Sequence, residues 1–188
     1  MKRRLMALTL SLSLIAGCST GNGKEVQTEK GAKVPQNENE PALQIQVLKA
    51  DEENGLTEEN EMYQQLSSLL EANPGLGVPE DFSVHALNLV PTQSGGNSLL
   101  FFGINRLDQP IRNIEFDYTL GIEENGEQKL VLDKEHVELT EGETGSIQPA
   151  HAIPFTIDVT SEGSEILKNM TEENKIVKLE NVKYELGQ

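Results

Sequence analysis

The chain has 188 residues, room for one ordinary domain and tight for two. It carries 31 acidic against 15 basic residues, a formal charge of -16, with 36% hydrophobic and 4% aromatic side chains. That balance argues against a nucleic-acid binder, which must replace counterions on phosphates, and a mean hydropathy of -0.42 argues against a multi-span membrane protein.

Lys2, Arg3 and Arg4 form a positive cluster ahead of an apolar run over residues 5–16, interrupted by Thr9, Ser11 and Ser13. The run is too short for a membrane span, which needs about 20 residues, and has the form of a secretory signal. It ends in Ile15, Ala16, Gly17 and Cys18, where small side chains precede the sole cysteine of the chain. A single cysteine excludes an intrachain disulfide. This order resembles the lipobox of bacterial lipoproteins. The resemblance implies a signal peptide over residues 1–17 and cleavage between Gly17 and Cys18. It further implies a diacylglyceryl group on the Cys18 sulfur and a location on the extracytoplasmic side of the cell membrane. The plainer alternative is a secretory peptide that ends in a chance cysteine.

Without residues 1–17 the balance is 12 basic against 31 acidic residues, or -19. Anionic headgroups repel such a body, so the expected membrane attachment is through acyl chains, and stable anchoring takes more than one chain. Residues 18–41 read as the lipidated cysteine followed by a disordered tether. From residue 19 onward Val26 and Val34 are its only sizeable apolar side chains, too few to offset the entropy of ordering. Its root-mean-square reach is about 25 Å.

Residues 42–188 alternate like half-buried strands. Leu43, Ile45 and Val47 mark a first strand, and a helix is expected near residues 58–72, where Met62, Leu66, Leu69 and Leu70 share a face ahead of Asn73, Pro74 and Gly75. A strand around Val84 to Leu89 ends at Pro91, and the continuous run LLFFGI over residues 99–104 suits a strand buried on both faces. Ile114, Phe116, Tyr118, Leu120 and Ile122 give the clearest alternation, and Asn125-Gly126 supplies the positive dihedrals of a tight hairpin. The returning strand covers residues 129–132 and continues or restarts at Val137 and Leu139. Gly142 and Gly145 mark a loop. Ile153, Phe155, Ile157 and Val159 alternate, with Pro154 pointing to an edge or bulge. A short helix over residues 164–170 and a last strand over residues 176–186 complete the pattern.

Seven or so strands with one or two short helices predict a mainly β domain, an immunoglobulin-like β-sandwich preceded by signal peptide and tether. The stretch Ile104-Asn105-Arg106-Leu107-Asp108-Gln109-Pro110-Ile111, with a polar corner at residues 107–110, and the later Ile147-Gln148-Pro149 ahead of Pro154-Phe155 resemble SLAP-type and other immunoglobulin-like domains of Gram-positive surface proteins. That likeness spans roughly residues 85–159.

Catalytic motifs are missing from this pattern. His85, His136 and His151 are far apart and show no metal-ligand spacing. Asp51, Glu52 and Glu53, like Glu123, Glu124 and Glu127, do not have the spacing of a calcium loop and read as solvated surface. Asn169-Met170-Thr171 matches a glycosylation acceptor by chance. No catalytic residue, metal or cofactor is therefore expected. The expected function is a membrane-anchored binding or assembly module of the cell envelope, held to the membrane through lipid on Cys18, with an envelope protein or the cell wall as partner. The alternative is a small lipid-anchored hydrolase using His85 with Glu or Ser neighbours.

Overall fold

A computed structural model describes residues 41–92 and 95–187. The expected signal peptide, Gly17, Cys18 and the tether up to residue 40 lie outside the described residues. The elements in chain order are β1 (Gln44–Ile45), α1 (Lys49–Glu53), α2 (Glu61–Ala72), β2 (Phe82–Pro91), β3 (Asn97–Asn105) and β4 (Ile111–Glu124). They continue with β5 (Glu127–Leu139), α3 (Glu141–Thr144), β6 (His151–Val159), α4 (Ser161–Lys168) and β7 (Lys175–Leu186).

The fold is a mainly β sandwich of two sheets. The first has strand order β1-β6-β3-β2 and the second β5-β4-β7. Seven strands divided four and three are shared with a constant-type immunoglobulin domain, whose chain-order pairing is 1-2-5-4 against 3-6-7. Here the chain crosses between sheets after β3, after β5 and again after β6, so that β3 pairs β6 and β4 pairs β7, both antiparallel.

The sheets close on one apolar core. Phe82, Leu99, Phe101 and Ile153 of the first sheet meet Ile114, Phe116, Tyr118 and Leu120 of the second. The few aromatic residues are concentrated at this contact. Phe101 stacks on Phe155 at 5.1 Å between ring centroids and takes the edge of Tyr118 at 5.3 Å. Each such side chain, fully removed from water, contributes about 1.5–3 kcal/mol before entropy is charged.

A second core lies on the opposite face of the first sheet. Tyr63, Leu66 and Leu70 of α2 cover Phe102, Ile104 and Ala152, with Leu43, Ile45 and Val47 beside them. This layer explains why residues 99–104 are apolar without alternation: odd-numbered Leu99 and Phe101 face the second sheet, while Phe102 and Ile104 face the helix.

Helix α2 starts at Glu61, because the Asn60 side chain caps it by accepting from the Met62 amide at 3.0 Å. The expected start near residue 58 is thus moved by one turn. The acidic residues 51–53 belong to α1, where Glu52 and Glu53 lie on its solvated side. The first strand is only two residues long and pairs parallel with β6, with Gln44 opposite His151. Among the described residues that side of β6 has no strand partner beyond Ala152, which is where Pro154 sits. The β4–β5 hairpin turns on Asn125 and Gly126, with φ of 55° and 80°.

Candidate functional site

The three histidines are carried by three strands and do not converge. His85 on β2 is exposed, directs away from the core between inward-facing Val84 and Ala86, and is opposite Phe102 in the β2–β3 register. His151, at the start of β6, contacts the Pro149 carbonyl through Nδ1 at 2.8 Å. His136 lies on the outward face of β5, on the other side of the sandwich. Among the described residues no group of three or more His, Cys, Asp or Glu is arranged to hold a metal ion.

The polar cluster that the fold does assemble centres on Asp117, in the middle strand of the second sheet. One carboxylate oxygen meets His136 Nδ1 at 2.9 Å, and the other accepts from Asn181 Nδ2 at 2.7 Å. His136 Nε2 faces Glu138 Oε1 at 3.3 Å. The donation from Asn181, then the contact with His136, holds the Asp117 carboxyl below its ordinary range. The Asp117 carboxylate in turn raises the His136 imidazole above the usual histidine value, with a smaller push from Glu138 and some opposition from lost hydration.

Asn181 reaches Asp117 because it adopts φ of 54°, where β7 slips register against β4. The left-handed region tolerates asparagine better than most residues. None of these contacts is visible as sequence spacing, since they join positions 19 and 64 residues apart. The alternation in β4 places Asp117 outward, but its partners depend on strand order and register.

The acidic clusters divide in two. Glu124 is ion-paired with Lys129 across the hairpin, which lowers the Glu124 carboxyl and raises the Lys129 amine. The segment from Asp51 to Asp81 holds nine carboxylates and no lysine or arginine. Asp51 there has a structural task. It accepts the Tyr63 hydroxyl at 2.5 Å, while the same hydroxyl accepts from the Leu48 amide at 3.0 Å. Burial, then the bond to Asp51, pushes the Tyr63 phenol up to about 12. Asn169 of the acceptor-like triplet is exposed and occupied as the C-cap of α4, donating to the Glu165 carbonyl.

The two ends of the sandwich differ. Arg106, just after β3, donates to the carbonyls of Leu76, Pro74 and Pro41, fixing the point where the domain joins its N-terminal segment. The β2–β3 hairpin, closed by Thr92 and Gly96, and the Asn125-Gly126 turn lie at the opposite end, together with α4. The 14 residues of β4 separate the ends by roughly 45 Å.

No protein family, curated protein or solved structure matches this chain. Among the described residues no helix is long and apolar enough to cross a membrane.

Proposed function

We propose that this protein is a lipid-anchored lipoprotein on the extracytoplasmic face of the cell membrane, acting as a binding or assembly module of the cell envelope. The observation that carries the reading is the residue order at the N-terminus: a basic cluster, a short apolar run, then Ala16, Gly17 and Cys18. Two further features support it. The chain beyond residue 17 has a charge of -19, which suits attachment by acyl chains and opposes attachment by electrostatics. The tether joins the sandwich at the Arg106 end, which leaves the hairpin turns and α4 free to face a partner in the envelope. Binding fits better than turnover because the candidate polar groups are spread over separate faces or occupied in holding the fold.

Replacement of Cys18 by alanine tests the reading. The variant is expected in the soluble fraction with unchanged thermal unfolding, and equal membrane retention of variant and parent overturns the anchor. Mass spectrometry of the processed parent should find an N-terminal diacylated cysteine. A stoichiometric partner recovered from detergent-solubilised membranes, unaffected by His85→Ala, supports binding; a hydrolytic activity lost in that variant overturns it.

A further inference from the structure

The outward face of the second sheet carries an array of charges in two adjacent rungs. In one, Glu138 of β5 is opposite Glu115 of β4, which is opposite Lys183 of β7. In the next, His136 is opposite Asp117, which is opposite Glu180. Like charges directly across a sheet destabilise it, and this array sets four carboxylates beside Lys183 as its one permanent cation. Lys183 is held by Glu115 at 3.3 Å. Lys134 on β5 adds a weaker favourable field at Asp117. Of the others, Asp117 and Glu138 face His136.

The geometry at His136 has a definite chemical meaning. Both ring nitrogens face carboxylate oxygens, Nδ1 toward Asp117 and Nε2 toward Glu138. Ionised carboxylates only accept hydrogen bonds, and a neutral imidazole has one N–H to give. The doubly charged-assisted arrangement is therefore that of an imidazolium. Asp117 passes the restraint on, since its second oxygen holds Asn181 at the register slip of β7.

We propose that His136, Asp117 and Glu138 form a proton-operated brace across the second sheet, closed when the imidazole is charged and opened when its proton leaves. The open form has two carboxylates, Asp117 and Glu138, facing a neutral ring with only one ring nitrogen able to donate. Strand β5 then holds β4 through one uncharged donor in place of a charge-assisted one, the Glu138 contact is released, and the Asp117 carboxylate that holds Asn181 is fixed less firmly. Because the folded-state value is raised, the contribution is complete below the ordinary histidine value of about 6.5 and disappears as pH rises through the raised one. The outer face of the sandwich thus changes charge and stiffness in the range where an extracellular surface meets variable pH.

Nuclear magnetic resonance of the full-length protein tests the brace. The C2–H resonance of His136, assigned by its loss in His136→Gln, should titrate above the ordinary histidine value and move down in Asp117→Asn. A midpoint at or below the ordinary value, or one unmoved in Asp117→Asn, overturns the proposal. Amide exchange supplies a second readout that a static contact would not move. Corrected for intrinsic rates, protection at Asn181 and Val182 should fall between about pH 6 and about pH 8 in the parent and stay level in His136→Gln. Equal pH dependence in both proteins overturns the coupling to β7.

Discussion

The side-chain amide of Asn105 donates to the Ile147 carbonyl at 2.9 Å, joining the end of β3 to the segment before β6. The same amide donates to the Gln109 carbonyl at 2.9 Å, and its oxygen accepts from the Leu107 amide at 2.9 Å. Asn105 is fully buried, and these three bonds hold the corner through which the chain crosses from the first sheet to the second. Ile147 returns the connection by exchanging both backbone bonds with Ile111, the first residue of β4.

Replacing Asn105 with alanine should therefore cost about 1–3 kcal/mol, because the Leu107 amide and the Gln109 carbonyl lose their side-chain partner and the Ile147 carbonyl keeps only Ile111. Urea unfolding followed by circular dichroism measures it. A loss below about 0.5 kcal/mol contradicts the assigned role.

Gly121 lies where β4 and β5 change register, and a Cβ there would sit 2.5 Å from the Lys129 carbonyl oxygen. Backbone cannot yield as a flexible side chain does, so Gly121→Ala is expected to destabilise by about 3 kcal/mol or more. Gly126→Ala, whose added methyl meets nothing within 4 Å, should cost less, limited to the strain of a positive φ. Thermal melts of the two variants rank them.

Ala150 occupies the third position of the turn in which the His151 amide donates to the Gln148 carbonyl, with φ of 56° after Pro149. Such a turn favours glycine at that position. Ala150→Gly relieves a left-handed strain of about 1–2 kcal/mol and loses part of it to unfolded-chain entropy. The expected net is a gain of up to about 1 kcal/mol, or a rise in melting temperature of about 2–4 °C.

The Tyr63 phenol has a raised ionisation value, so its contribution to stability is complete below about pH 10 and is lost as pH rises through about 12. Ultraviolet titration should show one tyrosine ionising near 12 that disappears in Tyr63→Phe. The same variant should be destabilised by about 1–2 kcal/mol at neutral pH, since the Leu48 amide and Asp51 lose their shared partner.

Local chemistry made much of this fold readable. The alternation from Ile114 to Ile122 is buried as expected, and the Asn125-Gly126 pair turns the hairpin because its backbone preference is intrinsic to those residues. The two-sided burial of β3 was legible in residues 99–104, although what covers its second face was not. Where the sequence misleads, a distant partner decides. Leu43, Ile45 and Val47 alternate like a strand, yet pairing stops after Ile45 because β6 offers a parallel neighbour only at His151 and Ala152. The corner at residues 107–110 shows in its turn residues, while Asn105, which holds it, looks like an ordinary end of an apolar run. The Asp117 cluster was invisible for the same reason: its members are joined by register alone.

The attachment at Pro41 has a mechanical corollary. Tension applied from the N-terminal side enters through the Arg106 bond to Pro41 and the backbone bonds from Gln44 to Ala150 and from Gln46 to Ala152 of β6. That short seam, reinforced by the Gln46 side chain on the Ser146 carbonyl and the Gln148 amide, meets the load ahead of the nine consecutive rungs joining β3 to β6. Pulling from that side is therefore expected to try this seam before the β3–β6 pairing.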